Sequence, residues 1–413
     1  MKDIKLFIAA FFSSFGSTMY LVIVAWVLYE LTSDAAYTGL MVGLGFLPGV
    51  FLNLVFGIWV DRANRKKLTT LSTSIILVSI FFLLIPMYLN IVEPWMIITV
   101  HMCVQTFSSL FRTAQQAFIT EIYENADIPR IFSHVGSVTA IAGLVGTSVG
   151  GFSVAIFNNT IAVALVCLSF IITLLCISIL SYTPVLTSKS LSKPTSIFQD
   201  LIDSFTYIHR NPLMYILLSI MLVGQLVVHN TTGMLSVYTS SHLNGSSTVY
   251  GILESAASVG AILAGIVATT FLYRSKALVP LYALVITALG LLGLWITQSI
   301  YFAFVSVFFI GLGTTLLRVL MQSIQQVATE PAFYGRMAAT RQTVNQTSVV
   351  VSAPILGIIA EHLGIQYAYA SLVVPVSLLI FISYFFSKDI QFRQTVYSVL
   401  PDNSTTKQKE VGL

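Results

Sequence analysis

Apolar residues in this chain come in long, nearly unbroken runs with short polar punctuation. Soluble helices and strands show instead one apolar stripe or strict alternation. A bilayer core takes about 20 helical residues per crossing. On that measure the pattern predicts twelve membrane helices, at 6–29, 37–60, 68–90, 95–117, 132–156, 160–183, 213–238, 248–272, 277–297, 300–326, 337–360 and 365–386. The fourth run ends in polar residues, Arg112, Gln115 and Gln116. One connector is long, residues 184–212, and carries Pro184, Lys189, Lys193, Pro194, Arg210 and Pro212. It divides the chain into two six-helix bundles, 1–183 and 213–390, and its Ile197–Ile208 segment is predicted to form a short surface helix. Residues 391–413 read as a polar tail.

Composition agrees with this pattern. Of 413 residues 56% are hydrophobic and 9% charged, with a mean hydropathy of +0.89. Soluble domains carry about 25% charged residues, so a soluble enzyme, a nucleic-acid binder and a disulfide-stapled module are all excluded. Cys103, Cys167 and Cys176 lie in apolar runs without paired spacing, which points to no disulfide and no metal site. The first run follows Lys2 and Lys5, but it exceeds a signal-peptide core and has no small-residue cleavage site, so it reads as a retained helix. The sequons at Asn158, Asn230, Asn244, Asn345 and Asn403 are at chance level.

Charge sets the orientation. Of the 20 basic residues, all but Arg112 and Arg318 fall in one alternate set of connectors and flanks, whereas the other set holds Glu30, Asp34, Glu93 and Glu361. Basic residues stay on the cytoplasmic side, so both termini and the long connector are expected in the cytoplasm, with the protein multi-pass in the cell membrane.

The two halves repeat. An offset of 206 pairs Arg112 with Arg318, Gln116 with Gln322, Glu124 with Glu330 and Arg130 with Arg336. An offset of 207 sets Gly146 and Gly150 over Ala353 and Gly357, and one of 208 sets Gly57 over Gly265 and Lys66 over Arg274. Parallel six-helix repeats around a midplane cavity are a transporter architecture.

Between spans 2 and 3 the chain reads G-I-W-V-D-R-A-N-R-K-K, from Gly57 to Lys67. This resembles the loop signature of the major facilitator superfamily, G-x-x-x-D-R-x-G-R-K, through Gly57, Asp61, Arg62, Arg65 and Lys66. Asn64 replaces the usual Gly, and Asn tolerates the left-handed backbone better than most residues. Gly146-Thr147-Ser148-Val149-Gly150-Gly151 resembles the superfamily's antiporter motif with Thr147 in place of Pro. The F-G-S-T-M and Y-E-L-T-S segments and Tyr250-Gly251 look like the branch of macrolide and enterobactin exporters, although Ser17 stands where that branch often has an acid. The resemblance implies an all-α fold of two pseudo-symmetric six-helix bundles, no catalysis and no cofactor beyond a proton gradient. It also implies a small-molecule substrate, a complete pathway in one chain, and a gate latched by Asp61.

Bottom-up, Gly57 allows two helices to approach closely, and Arg62, Arg65 and Lys66 stand where anionic headgroups attract them. Plain positive-inside anchoring also accounts for Lys66 and Lys67. His101, Gln105, Ser108, Arg112 and Gln116 share one face of span 4. An intramembrane charge costs at least ~2.5 kcal/mol facing lipid and so faces an interior cavity or partner. Arg112 reads either as a modulator of a nearby acid's proton affinity, which the resemblance implies, or as a snorkelling helix-end residue. His101 reads as a proton carrier or a hydrogen-bonded structural residue. Glu254 is the one carboxylate deep in a span. It is the leading proton-coupling candidate, against a permanently neutral acid or a contact for a cationic substrate. Gln225, His229 and Asn230 on span 7 come to comparable depth, and Arg318 with Gln322 mirrors the span-4 pair, reading either as contacts for an anionic substrate or as structural relics of the repeat; Gln105, Gln116, Gln225, His229, Arg318 and Gln322 are the substrate-cavity candidates.

The expectation is a proton-driven exporter of an amphipathic small molecule, either macrolide-like or a siderophore-type metallophore. Proton-coupled uptake is the rival, kept open by Thr147 and Ser17. A non-transporting receptor or membrane enzyme ranks lower, because no nucleophile constellation, phosphate loop or metal motif is present in the sequence.

Overall fold

A computed structural model describes residues 2–124, 127–180, 206, 208–209, 212–271, 279–329 and 334–386. The chain is nearly all helix. The first six long helices are α1 (Lys2–Thr32), α2 (Ala35–Arg62), α3 (Arg65–Tyr88), α4 (Pro94–Ile122), α5 (Ile128–Ile156) and α6 (Asn159–Ile179). The next six are α7 (Pro212–Val237), α8 (Ser247–Phe271), α9 (Val279–Ile296), α10 (Ile300–Ala328), α11 (Tyr334–Leu363) and α12 (Ile365–Phe386). A π turn, Tyr238–His242, extends α7. Ten of these helices contain a stretch long and apolar enough to cross a bilayer. The exceptions are α9, whose apolar run Pro280–Ile296 is shorter, and α4, which carries the polar stripe. Of the connector 184–212 only Thr206, Ile208, His209 and Pro212 are described, and the tail 391–413 lies outside the described residues.

Several helices outrun their apolar runs on the side of the basic connectors (the basic end, hereafter). There α4 continues to Ile122 and α11 starts at Tyr334; Arg341, counted with the flanking charges of span 11, lies about two turns inside this helix and donates to Gln325 Oε1 at 2.9 Å. Polar residues continue these helices because the backbone hydrogen bonds stay internal whatever the side chain. At the opposite end the turns are tight. Ser33, Asn90, Asn244 and Gly364 all have positive φ there. Asn64, by contrast, has φ −67° and ψ 114°: it caps α3 by accepting from Lys67 N at 3.0 Å, so its polarity rather than any left-handed backbone fits it to the site. The acids of the opposite end hold helix starts as well. Asp34 Oδ1 accepts from Ala36 N at 2.7 Å, and Glu361 Oε2 reaches from α11 to Ala35 N at 2.9 Å.

The outer surface is apolar, with Phe82, Tyr301, Phe302, Val374 and Phe381 more than 60% exposed. That inverts a soluble protein and fits lipid contact. Since lipid offers helices no hydrophobic drive to associate, small residues let backbones pack closely instead. Within the first half, Gly146 and Gly150 of α5 lie against Phe15, Thr18, Met19 and Val22 of α1. Two seams join the halves, α2 with α11 and α5 with α8, and the repeat exchanges one for the other.

The loop motif takes up specific bonds. Arg65 pairs with Glu121 of α4 at 3.4 Å, and Lys66 Nζ donates to Ser178 O at 2.8 Å and Leu180 O at 2.7 Å, capping the end of α6. Lys66 therefore ties α3 to α6 instead of standing free at the lipid surface. Lys66→Met is expected to cost about 1 kcal/mol, since charged hydrogen bonds contribute ~1.5–3 kcal/mol less solvent screening at a half-exposed ammonium. A thermal midpoint in detergent lower by roughly 2 °C, with transport retained, checks this. Nearby, Tyr123 donates to Asp3 Oδ1 at 2.7 Å, and burial together with that carboxylate pushes the phenol upward. The side chains of Asp61 and Arg62 lie outside the described set.

Candidate transport cavity

The seams are tight at one end only. A Cβ added to Gly151 would lie 2.5 Å from Gly251 Cα, and one on Gly39 would meet Ala353 O at 2.5 Å and Gly357 Cα at 2.9 Å. Gly43 faces Pro354 in the same way, and Ser148 shares a 2.6 Å hydrogen bond with Ser255. All of these lie toward the opposite end. Toward the basic end, Gly57, Gly136 and Gly265 have nothing within 4 Å of such a Cβ among the described residues. The close approach read for Gly57 is therefore not made in this state. Gly57 and its repeat mate Gly265 both face open space.

Between the halves lies a cavity of about 400 Å³, walled by α1, α2, α4, α7 and α11. From the polar stripe of α4 it takes His101, Gln105 and Arg112, and from α7 Gln225 and His229. Ser108 is buried, whereas Gln116, Arg318 and Gln322 are exposed and stand outside this lining. His101 is 1% exposed, stacks on Tyr20 with ring centroids 5.9 Å apart, and has no partner for Nδ1 among the described residues. His229 meets Phe46 edge-on at 4.7 Å.

Sequence reasoning missed the α11 wall, which supplies Gln342, Asn345 and Gln346. Their i, i+3, i+4 spacing is the helix-face signal that picked out α4. Asn53 on α2 was missed too. Ser109 Oγ donates to Asn53 Oδ1 at 2.6 Å, and Asn53 Nδ2 donates to Gln346 Oε1 at 2.7 Å. This polar relay joins α4, α2 and α11 where the tight part of the seam ends.

Glu254 is elsewhere. It is 3% exposed, lies outside the cavity lining, and Oε1 has no partner among the described residues. It follows Gly251 by three residues on α8, so it lies one turn from the α5–α8 seam. Tyr250 and Tyr369 are near enough to feel its charge. Tyr250 stacks on Trp26 of α1 at 5.9 Å, and its hydroxyl is also unpartnered. Tyr369 donates to Thr231 O at 3.2 Å.

Known proteins share this arrangement. The crystal structure of the nucleoside transporter NupG superposes with a TM-score of 0.76 at 15% identity, covering 94% of this chain and 99% of that one. A bacterial homolog of the human lysosomal transporter Spinster, inward-facing and occupied, gives 0.73 at 14% identity, covering 95% and 97%. In sequence, macrolide efflux protein A of Streptococcus pyogenes is 19% identical over 348 residues, 82% of this chain and 84% of that protein. Residues 4–403 match the family described as transmembrane secretion effectors. Two repeated bundles around a polar midplane cavity, and a family match over nearly the whole length, make this chain a multi-pass membrane transporter, not an enzyme, of the transmembrane secretion effector family in the major facilitator superfamily.

Proposed function

We propose that the protein exports an amphipathic small molecule by alternating access, driven by proton entry. The observation that carries this reading is the asymmetric cavity, shut at the opposite end by two small-residue seams and free at the basic end. With the basic end in the cytoplasm, as the positive-inside rule requires, this state faces the supply of an exported compound. The similarity to macrolide efflux protein A favours outward transport of a drug-like or metallophore-like cargo. Apolar and aromatic walls beside a few amides suit such a cargo.

Glu254 supplies the coupling in this reading. An ionised carboxylate without a partner is costly in an apolar site, so the sealed state holds it neutral. For net proton entry Glu254 takes up a proton from outside while the seam is open, carries it neutral into the sealed state, and gives it up to water on the cytoplasmic side before the seam opens again. Uptake by proton symport is the second reading, favoured by Thr147 in the antiporter motif and Ser17 in α1.

Export is tested with the medium of knockout and overexpressing cells, compared by mass spectrometry with and without a protonophore. Compounds enriched by overexpression and lost with protonophore support the reading, whereas depletion from the medium indicates uptake. Asp61→Asn serves as the control for gating. Because the resemblance makes Asp61 the latch, it is expected to reduce flux at least tenfold with normal insertion, and unchanged flux would remove Asp61 from the mechanism.

A further inference from the structure

The lumen has a sign. Arg112 lines the cavity, and Arg318 stands as far into α10, which begins at Ile300, as Arg112 does into α4, which begins at Pro94. Both side chains are solvent-accessible yet deep within the bundle, and both guanidinium fields reach His229. Among the described residues neither arginine has an ion pair or a carboxylate within electrostatic reach. Among the described residues the cavity wall contains no acid, and Glu254 lies outside it. Intramembrane charges ordinarily pair with one another, so Arg112 on the cavity wall, with Arg318 outside the lining but close enough for its charge to reach His229, leaves a place for negative charge that no described residue fills.

We propose that the cargo is an organic anion, an amphipath whose carboxylate or phosphate is held between Arg112 and Arg318. The inference rests on the transport reading above and adds the chemical class. A guanidinium fork matches either oxyanion in bidentate geometry. Gln105, Gln225 and Gln342 offer amide donors to further oxygens, and Phe46 with Val349 receives the apolar body. The twofold repeat places one arginine in each half, so a bound anion bridges the bundles and neutralises both. An amine-bearing cargo would meet two like charges instead.

The test uses full-length protein in lipid nanodiscs with two fluorescent probes, N-dansylglycine as the anion and dansylcadaverine as the cation. The anion is expected to bind and to weaken at least tenfold in Arg112→Gln and in Arg318→Gln. Arg112→Lys should keep most of the preference for the anion, which a merely structural arginine would not predict. Cation binding as tight as anion binding, or anion binding unchanged in both Gln variants, overturns the proposal. A second arm takes the compounds enriched in medium by wild type over Asp61→Asn and runs them by electrophoresis at pH 7. Migration to the anode supports the assignment, and neutral or cathodic migration overturns it. If no compound is enriched, export itself fails, and the nanodisc result still decides the charge preference.

Discussion

Leucine at Gly251 is expected to force open the sealed end of the cavity. A single Cβ there already falls 2.8 Å from Gly151 Cα and 3.3 Å from Thr147 O, both backbone atoms that cannot rotate away. Overpacking costs ~1–3 kcal/mol where a core can adjust, and a larger side chain must separate α5 from α8. A bias of that size moves a two-state equilibrium by one to two decades. The measurement is labelling of a cysteine at Ala353, which is 1% exposed and meets Gly39 in the α2–α11 seam, by a membrane-impermeant maleimide in a background lacking Cys103, Cys167 and Cys176. Labelling from outside should rise at least tenfold, in the order Ala, Val, Leu at position 251. Because the reporter lies in the other seam, the rise also establishes that the two open together. Unchanged labelling in a folded Gly251→Leu protein would mean that these seams are not the gate.

Glu254→Gln is expected to uncouple the carrier. Glutamine reproduces the neutral acid in shape and hydrogen bonding but cannot exchange a proton. Flux driven by a pH gradient should fall at least tenfold, while downhill exchange of labelled cargo at equal pH stays within about twofold. The position of Glu254 one turn from the seam gives the reason: the acid is reached from outside only once α8 parts from α5 and water enters, so its proton uptake on that side follows the gate. Full gradient-driven flux in Glu254→Gln would reduce Glu254 to a neutral structural residue and would shift attention to His101.

The helices were legible in the sequence because a bilayer demands apolar runs of fixed length, and the repeat was legible because its glycines and arginines recur at nearly one offset, 206 to 208. What the sequence did not disclose is instructive. Polar ends of α4 and α11 continue as helix because nothing in hydropathy marks where backbone bonding stops. The α4 stripe stood out through Arg112, whereas the uncharged Gln342, Asn345 and Gln346 on α11 share the same geometry without a charge to draw notice. The face a polar residue presents is set by which helix packs beside it. Glu254 thus came to lie near a seam and outside the cavity lining. Gly57 was expected in a close contact, but such a contact belongs to a conformation in which the basic end is shut.

Seams built from backbone against backbone have a further result for the membrane that holds them. At Gly151 and Gly251, or Gly39 and Gly357, no gap remains wide enough for a file of water molecules. Protons hop along such files, so an idle copy of this protein short-circuits nothing. Liposomes packed with it should hold an imposed voltage as long as bare lipid does, and should begin to leak once Gly251 gains a side chain.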